Sequence, residues 1–183
     1  MNRYARISGL ALVLVAALGC EQRTDKTDDG GIILSISDFD GLPISISASE
    51  SESAGVVQVG EITVQSIAKN SSQPTSALMR VEIDSYEVTF SRDDSGSRVP
   101  PRLKNYIFGT VDPGGTFSLQ NGPIMRVDQF NNQPLKDMIE EGFDTETGST
   151  VIRLKVGIQF FGRTISGDVV QSQVAYFTVE VFP

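Results

Sequence analysis

The chain reads as an all-β protein, an antiparallel β-sandwich with one short helix, with an open barrel as the alternative. Three observations point there. Apolar and polar residues alternate over most of the length. Clusters of Gly, Pro, Asp and Asn separate the alternating runs. Nowhere do strand-like runs alternate with long helical runs at the spacing of βαβ units.

In chain order, Ile32, Leu34 and Ile36 share one face, and Leu42, Ile44 and Ile46 repeat the pattern after a turn at Asp38-Phe39-Asp40-Gly41. The run from Ser47 to Ala54, rich in Ser and Glu, reads as a low-complexity loop. Val57 and Val59 continue the alternation, and Ile62 and Val64 resume it in the other parity, so a β-bulge is expected at Gly60-Glu61. A second slip falls near Ser85, between Met79, Val81 and Ile83 on one side and Tyr86, Val88 and Phe90 on the other. Residues 92–102 form a turn-rich loop. Strands are expected over 104–110, 116–120 and 123–128, with turns at 112–115 and at Asn121-Gly122. Pro134 at a first helical position, the stripe Leu135, Met138 and Ile139, and the stop at Gly142 predict a helix over 134–141. Ile152 to Phe160 and Ala175 to Val181 alternate cleanly around a turn at Ser166-Gly167-Asp168, the pattern of a closing hairpin.

The 183 residues carry a formal charge of −8 with no histidine, no tryptophan and one cysteine. The acidic balance and the lack of clustered Lys and Arg speak against nucleic acid as a partner. Without histidine there is no Ser-His-Asp or Cys-His catalysis and no His-based metal site. With one cysteine there is no internal disulfide and no CxxC motif.

At the N-terminus, Arg3 and Arg6 precede an apolar run from Ile7 to Leu18. Twelve residues at about 1.5 Å each are too short for a helix to span a bilayer core of about 30 Å, so the segment reads as an export signal. It ends Ala17-Leu18-Gly19-Cys20, which resembles the lipobox of bacterial lipoproteins. The resemblance implies acylation of the Cys20 thiol, cleavage before Cys20 and a membrane held through lipid. Ala17 departs from the commoner leucine at that position. Glu21, rather than the aspartate that retains such proteins at the inner membrane, implies an outer-membrane address if the cell is Gram-negative. The organisation expected is therefore signal peptide 1–19, tether 20–31 and β-sandwich 32–183.

The closing hairpin and the final Phe177-Thr-Val-Glu-Val181 resemble the last strands of immunoglobulin-like and fibronectin-III-like domains, without the Cys-Trp-Cys core of true immunoglobulins. Ser85 to Phe90 and Phe161-Gly162-Arg163-Thr164 are similar to stretches of bacterial lipoproteins of this size, a resemblance that implies no activity.

The candidates for chemistry are few. Ser66-Ile67-Ala68-Lys69 matches SxxK, but it ends a strand pattern, where residues three apart point to opposite faces, and its companion motifs are missing. The pairs Asp93-Asp94 and Glu140-Glu141 read as solvated surface. Asp144-Thr145-Glu146-Thr147-Gly148 could offer oxygens to calcium. Gly114-Gly115 lacks the Lys and Ser of a phosphate loop. Tyr86, Tyr106 and Tyr176 are candidates for a sugar-binding face, with packing as the plainer role for each. No catalytic, cofactor or metal site is assigned. The expected role is a lipid-anchored, non-enzymatic binding module of the cell envelope, with a protein or polymer partner. The alternatives are an envelope hydrolase using Asp and Glu or Ser with Lys, and a glycan- or calcium-binding module.

Overall fold

A computed structural model describes residues 31–183 apart from Ile44 and Gln73. The expected signal, Cys20 and nearly all of the tether lie outside the described residues.

The protein is mostly β with few helices, and one of its sheets curls into a half-barrel. Nine strands are present among the described residues: β1 (Ile32–Asp40), β2 (Ser45–Ser47), β3 (Val56–Ala68), β4 (Val81–Arg92), β5 (Leu103–Val111), β6 (Thr116–Arg126), β7 (Ile152–Thr164), β8 (Val169–Gln171) and β9 (Ala175–Phe182). Three short helices accompany them: α1 (Ala48–Ala54), α2 (Val127–Phe130) and α3 (Leu135–Glu140). The three-stranded sheet has the order β1-β3-β6 and the six-stranded sheet β2-β9-β7-β4-β5, with β8 beside the far end of β7. All pairs are antiparallel except β2 with β9. A bridge between Leu34 and Ser172 brings an edge of one sheet to the other.

The alternation becomes the core directly. Ile32, Leu34, Ile62 and Val64 from the smaller sheet, and Ile83, Tyr86, Val88, Leu154, Val156, Ile158 and Phe160 from the larger, are all fully buried. Phe130, Leu135 and Met138 from α2 and α3 close one end. Each such side chain contributes about 1.5–3 kcal/mol through burial. The parity slip near Ser85 is a true register shift, seen between Ile83 and Ser85 in both pairings of β4.

Several sequence expectations are corrected. The Ser-Glu run is not a loop but α1: Ser47 accepts the Glu50 N–H at its start, and Gly55, at φ +77°, ends it. Of the strand expected through Leu42, Ile44 and Ile46, Ser45–Ser47 is present and Leu42 lies outside it, Ile44 not being among the described residues. β1 continues to Asp40, paired with Glu61, where a turn was expected to begin at Asp38. Asn121-Gly122 does not divide two strands; β6 runs through both, with Asn121 at φ +51°. Among the described residues three short α-helices and a 3-10 turn at Ala77–Met79 stand where a single helix was expected. The buried parity does change between Val59 and Ile62, yet the register shifts lie elsewhere, at Val57/Gln58 and Ile36/Asp38. Gly60 serves close approach: a Cβ there would sit 3.1 Å from the Asp40 carbonyl oxygen.

Candidate functional site

Two groupings of polar and aromatic side chains stand out. The first is an ion cluster at the end capped by the helices. Arg92, at the end of β4, turns its guanidinium between Asp94 and Asp144. Nε lies 2.6 Å from Asp94 Oδ1, and a terminal nitrogen lies 2.9 Å from Asp144 Oδ2. The side chains of Arg92 and Asp144 are 3% and 0% exposed. Asp94 also accepts the N–H groups of Gly96 and Arg153, and Asp144 accepts from Thr147 Oγ1 and the Glu146 N–H. Beside them, Arg98 donates to Gln133, Asp137 and Thr145, and the Glu146 carboxylate accepts from Ser97 and from the Arg98 N–H.

Burial pushes the carboxyls of Asp94 and Asp144 up, but these hydrogen bonds and the Arg92 charge outweigh it and hold both below the ordinary value. Hydrogen bonds from Ser97 and Arg98 do the same for Glu146. Asp94 is exposed as a residue, like Asp93, Glu140 and Glu141, but its side chain is only 21% exposed and is engaged as an ion-pair partner of Arg92. In the Asp144–Gly148 segment, the oxygens offered as calcium ligands are turned onto Arg92, Thr147, Ser97 and backbone N–H groups. No group of three or more metal-ligating side chains occurs among the described residues.

The SxxK residues do not converge. Ser66 points into the core, fully buried, while Lys69 lies past the end of β3, exposed. Ser66 Oγ has no hydrogen-bond partner among the described residues. Removing an unpartnered buried hydroxyl relieves its desolvation, so Ser66→Ala is expected to raise stability by about 1 kcal/mol. A denaturant titration showing a lower midpoint for Ser66→Ala would sink that account.

The second grouping is aromatic. Tyr86 is core: its hydroxyl donates to the Pro123 carbonyl at 2.9 Å, its ring packs 5.3 Å from Phe160, and burial raises its pKa. Tyr106 and Tyr176 share the outer face of the six-stranded sheet. Tyr106 and its neighbour on that face, Phe108, are 80% and 81% exposed on β5, an edge strand that among the described residues pairs with β4 alone. Lys104 Nζ lies 5.3 Å from the Tyr106 ring. Tyr176 is 56% exposed, lies over Gly157, and holds Lys155 Nζ at 4.6 Å. Phe108 escaped the sequence reading, although Tyr106-Ile107-Phe108 already set aromatics at both outward positions of a strand. A shallow cleft of about 630 Å³, lined by Arg98, Val99, Pro101, Asn131, Asn132, Gln133 and Lys136, opens beside the ion cluster. Its two cations are engaged, Arg98 as above and Lys136 with Glu140 at 3.5 Å.

No family model matches the chain, and no curated protein matches it. Among solved structures it is similar to the solution structure of a candidate late embryogenesis abundant (LEA) protein, at 12% identity and a TM-score of 0.42, over 97% of this chain and 86% of that one. No helix among the described residues is long and apolar enough to cross a membrane.

Proposed function

We propose that the chain is a lipid-anchored, non-enzymatic binding module of the bacterial cell envelope, built as an immunoglobulin-like β-sandwich and acylated at Cys20. The observation that carries the binding role is the edge strand β5, which presents Tyr106 and Phe108 to solvent and, among the described residues, has no strand hydrogen-bonded to its other side. An edge of this kind is a ready surface for a partner, and natural proteins seldom leave one apolar without a use for it. The engaged carboxylates around Arg92 and the separated Ser66 and Lys69 favour binding over an envelope hydrolase. Tyr176 on the same face supports a second reading, a glycan partner laid across the sheet.

The test is a photo-crosslinking amino acid at position 108 in intact cells at native expression, followed by mass spectrometry. A single reproducible envelope partner, lost when Tyr106 is replaced by serine, is the expected result. Capture no greater than from a probe placed at the exposed Thr178 would remove the binding role of β5. The anchor has its own check: Cys20→Ala should leave the membrane fraction and lose the mass of the acyl chains. Retention in the membrane at unchanged mass would remove the lipid anchor.

A further inference from the structure

The strand directions give the domain two poles. β1 begins where β3 ends, with Ile32 opposite Ala68, and Val81 at the start of β4 meets both Val111 and Thr164. At this pole the Lys69 N–H donates to the Gly31 carbonyl at 3.0 Å, and a Cβ at Gly31 would lie 3.1 Å from the Met79 methyl. The chain leading back to Cys20 therefore enters beside Met79. The helices α1, α2 and α3, the ion cluster and the large cleft lie at the other pole.

Exposed aliphatic side chains are not spread evenly between the poles. Leu78, Ile165 and Val169 are 57%, 47% and 64% exposed, and Ile33 and Ile67 form an outward cross-strand pair close by. Leu78 and Ile165 are drawn together by backbone bonds: the Ile165 N–H donates to the Arg80 carbonyl and the Ser166 N–H to that of Leu78. Among the described residues, five of the eight exposed Ile, Leu and Val side chains ring this one end; Val99, Val127 and Val151 are the rest. Around it stand Lys69, Arg80 and Arg163 with Glu82, Asp112 and Asp168, Arg80 being paired with Asp112 at 2.6 Å, so this end is locally balanced on a chain whose overall charge is −8. Cations beside exposed aliphatics suit the layer where lipid phosphates meet acyl chains.

We propose that this pole rests on the bilayer surface, with Leu78 and Ile165 entering the headgroup layer and the helical pole held outward. The inference rests on the proposed anchor at Cys20. However it runs, the segment from Cys20 to Gly31 spans no more than about 40 Å. That reach keeps the pole at high effective concentration over the membrane, so a face too weak to bind alone is occupied.

The experiment uses the full chain, exported and purified from cells, then reconstituted in phosphatidylcholine vesicles, with intact mass reporting acylation. An environment-sensitive fluorophore is attached in turn to Leu78→Cys, Ile165→Cys and, at the far pole, Val151→Cys; circular dichroism checks the fold of each. Quenching by spin-labelled acyl chains at 78 and 165, several-fold above that at 151, is the expected result. Equal quenching at all three sites on acylated, vesicle-bound protein overturns the docking and leaves the anchor standing. If the mass shows no acyl chain, the anchor reading falls and the docking that rests on it falls with it.

Discussion

Arg92→Met is expected to cost about 3–5 kcal/mol of stability, read as a fall in the denaturant midpoint at neutral pH. The substitution keeps most of the aliphatic volume and deletes the charge. It leaves Asp144, whose side chain is 0% exposed, ionised and facing no cation, and it frees Asp94 beside it. Losing one member of a buried pair costs more than the pair is worth, because the remaining charge keeps its desolvation penalty. Adding Asp144→Asn should therefore recover about 1–3 kcal/mol of the loss, a coupling that a surface ion pair would not show. Strict additivity of the two substitutions would mean that Arg92 acts through packing alone. The same cluster sets the response to acid. The Asp94 and Asp144 carboxyls are held below the ordinary 3.8, so the unfolded chain takes up protons more readily than the native one. Their contribution is complete above that value and is lost as pH falls through the lowered native values. Wild type should lose stability steeply below about pH 4, and the double variant less so.

Gly162→Ala is the second large effect, expected at about 3 kcal/mol. The difficulty is space rather than backbone conformation. A Cβ at Gly162 would lie 2.4 Å from the Glu82 carbonyl oxygen and 3.0 Å from Ile83 Cα, both backbone atoms of the neighbouring strand. Neither can swing aside as a side-chain tip would, so β7 and β4 must part where β4 already changes register between Ile83 and Ser85. The exposed neighbour Arg163 is the control: Arg163→Ala should change stability by no more than about 0.5 kcal/mol. Comparable melting of the two variants would show that the β4–β7 contact relaxes freely.

What could be read from residue order is what depends on neighbours in the chain. Strand faces follow from period two, and the slip at Ser85 was visible because a change of parity leaves its mark in the local pattern. α1 was legible in principle: Ser47 followed three residues later by Glu50, with Gly55 beyond, carries start and stop signals that the repetitive Ser-Glu composition obscured. The joining of Arg92 to Asp144 and the exposure of β5 were not legible. The first links residues 52 positions apart, and the second depends on which strand stops the sheet. Tyr106 and Tyr86 have similar strand contexts in sequence, yet one is solvent-exposed and the other is core.

The pairing of β2 with β9 bears on the order of folding. Ser45 meets Glu180 and Ser47 meets Phe182, with the Ser47 hydroxyl donating to the Pro183 carbonyl. Closing so long a loop carries a large entropic cost before any contact repays it, and a topology rich in such distant pairings folds in milliseconds to seconds rather than microseconds. During vectorial synthesis β2 remains unmatched until β9 has emerged, so the chain stays unlocked, and accessible to whatever handles nascent polypeptides, over all the residues between them.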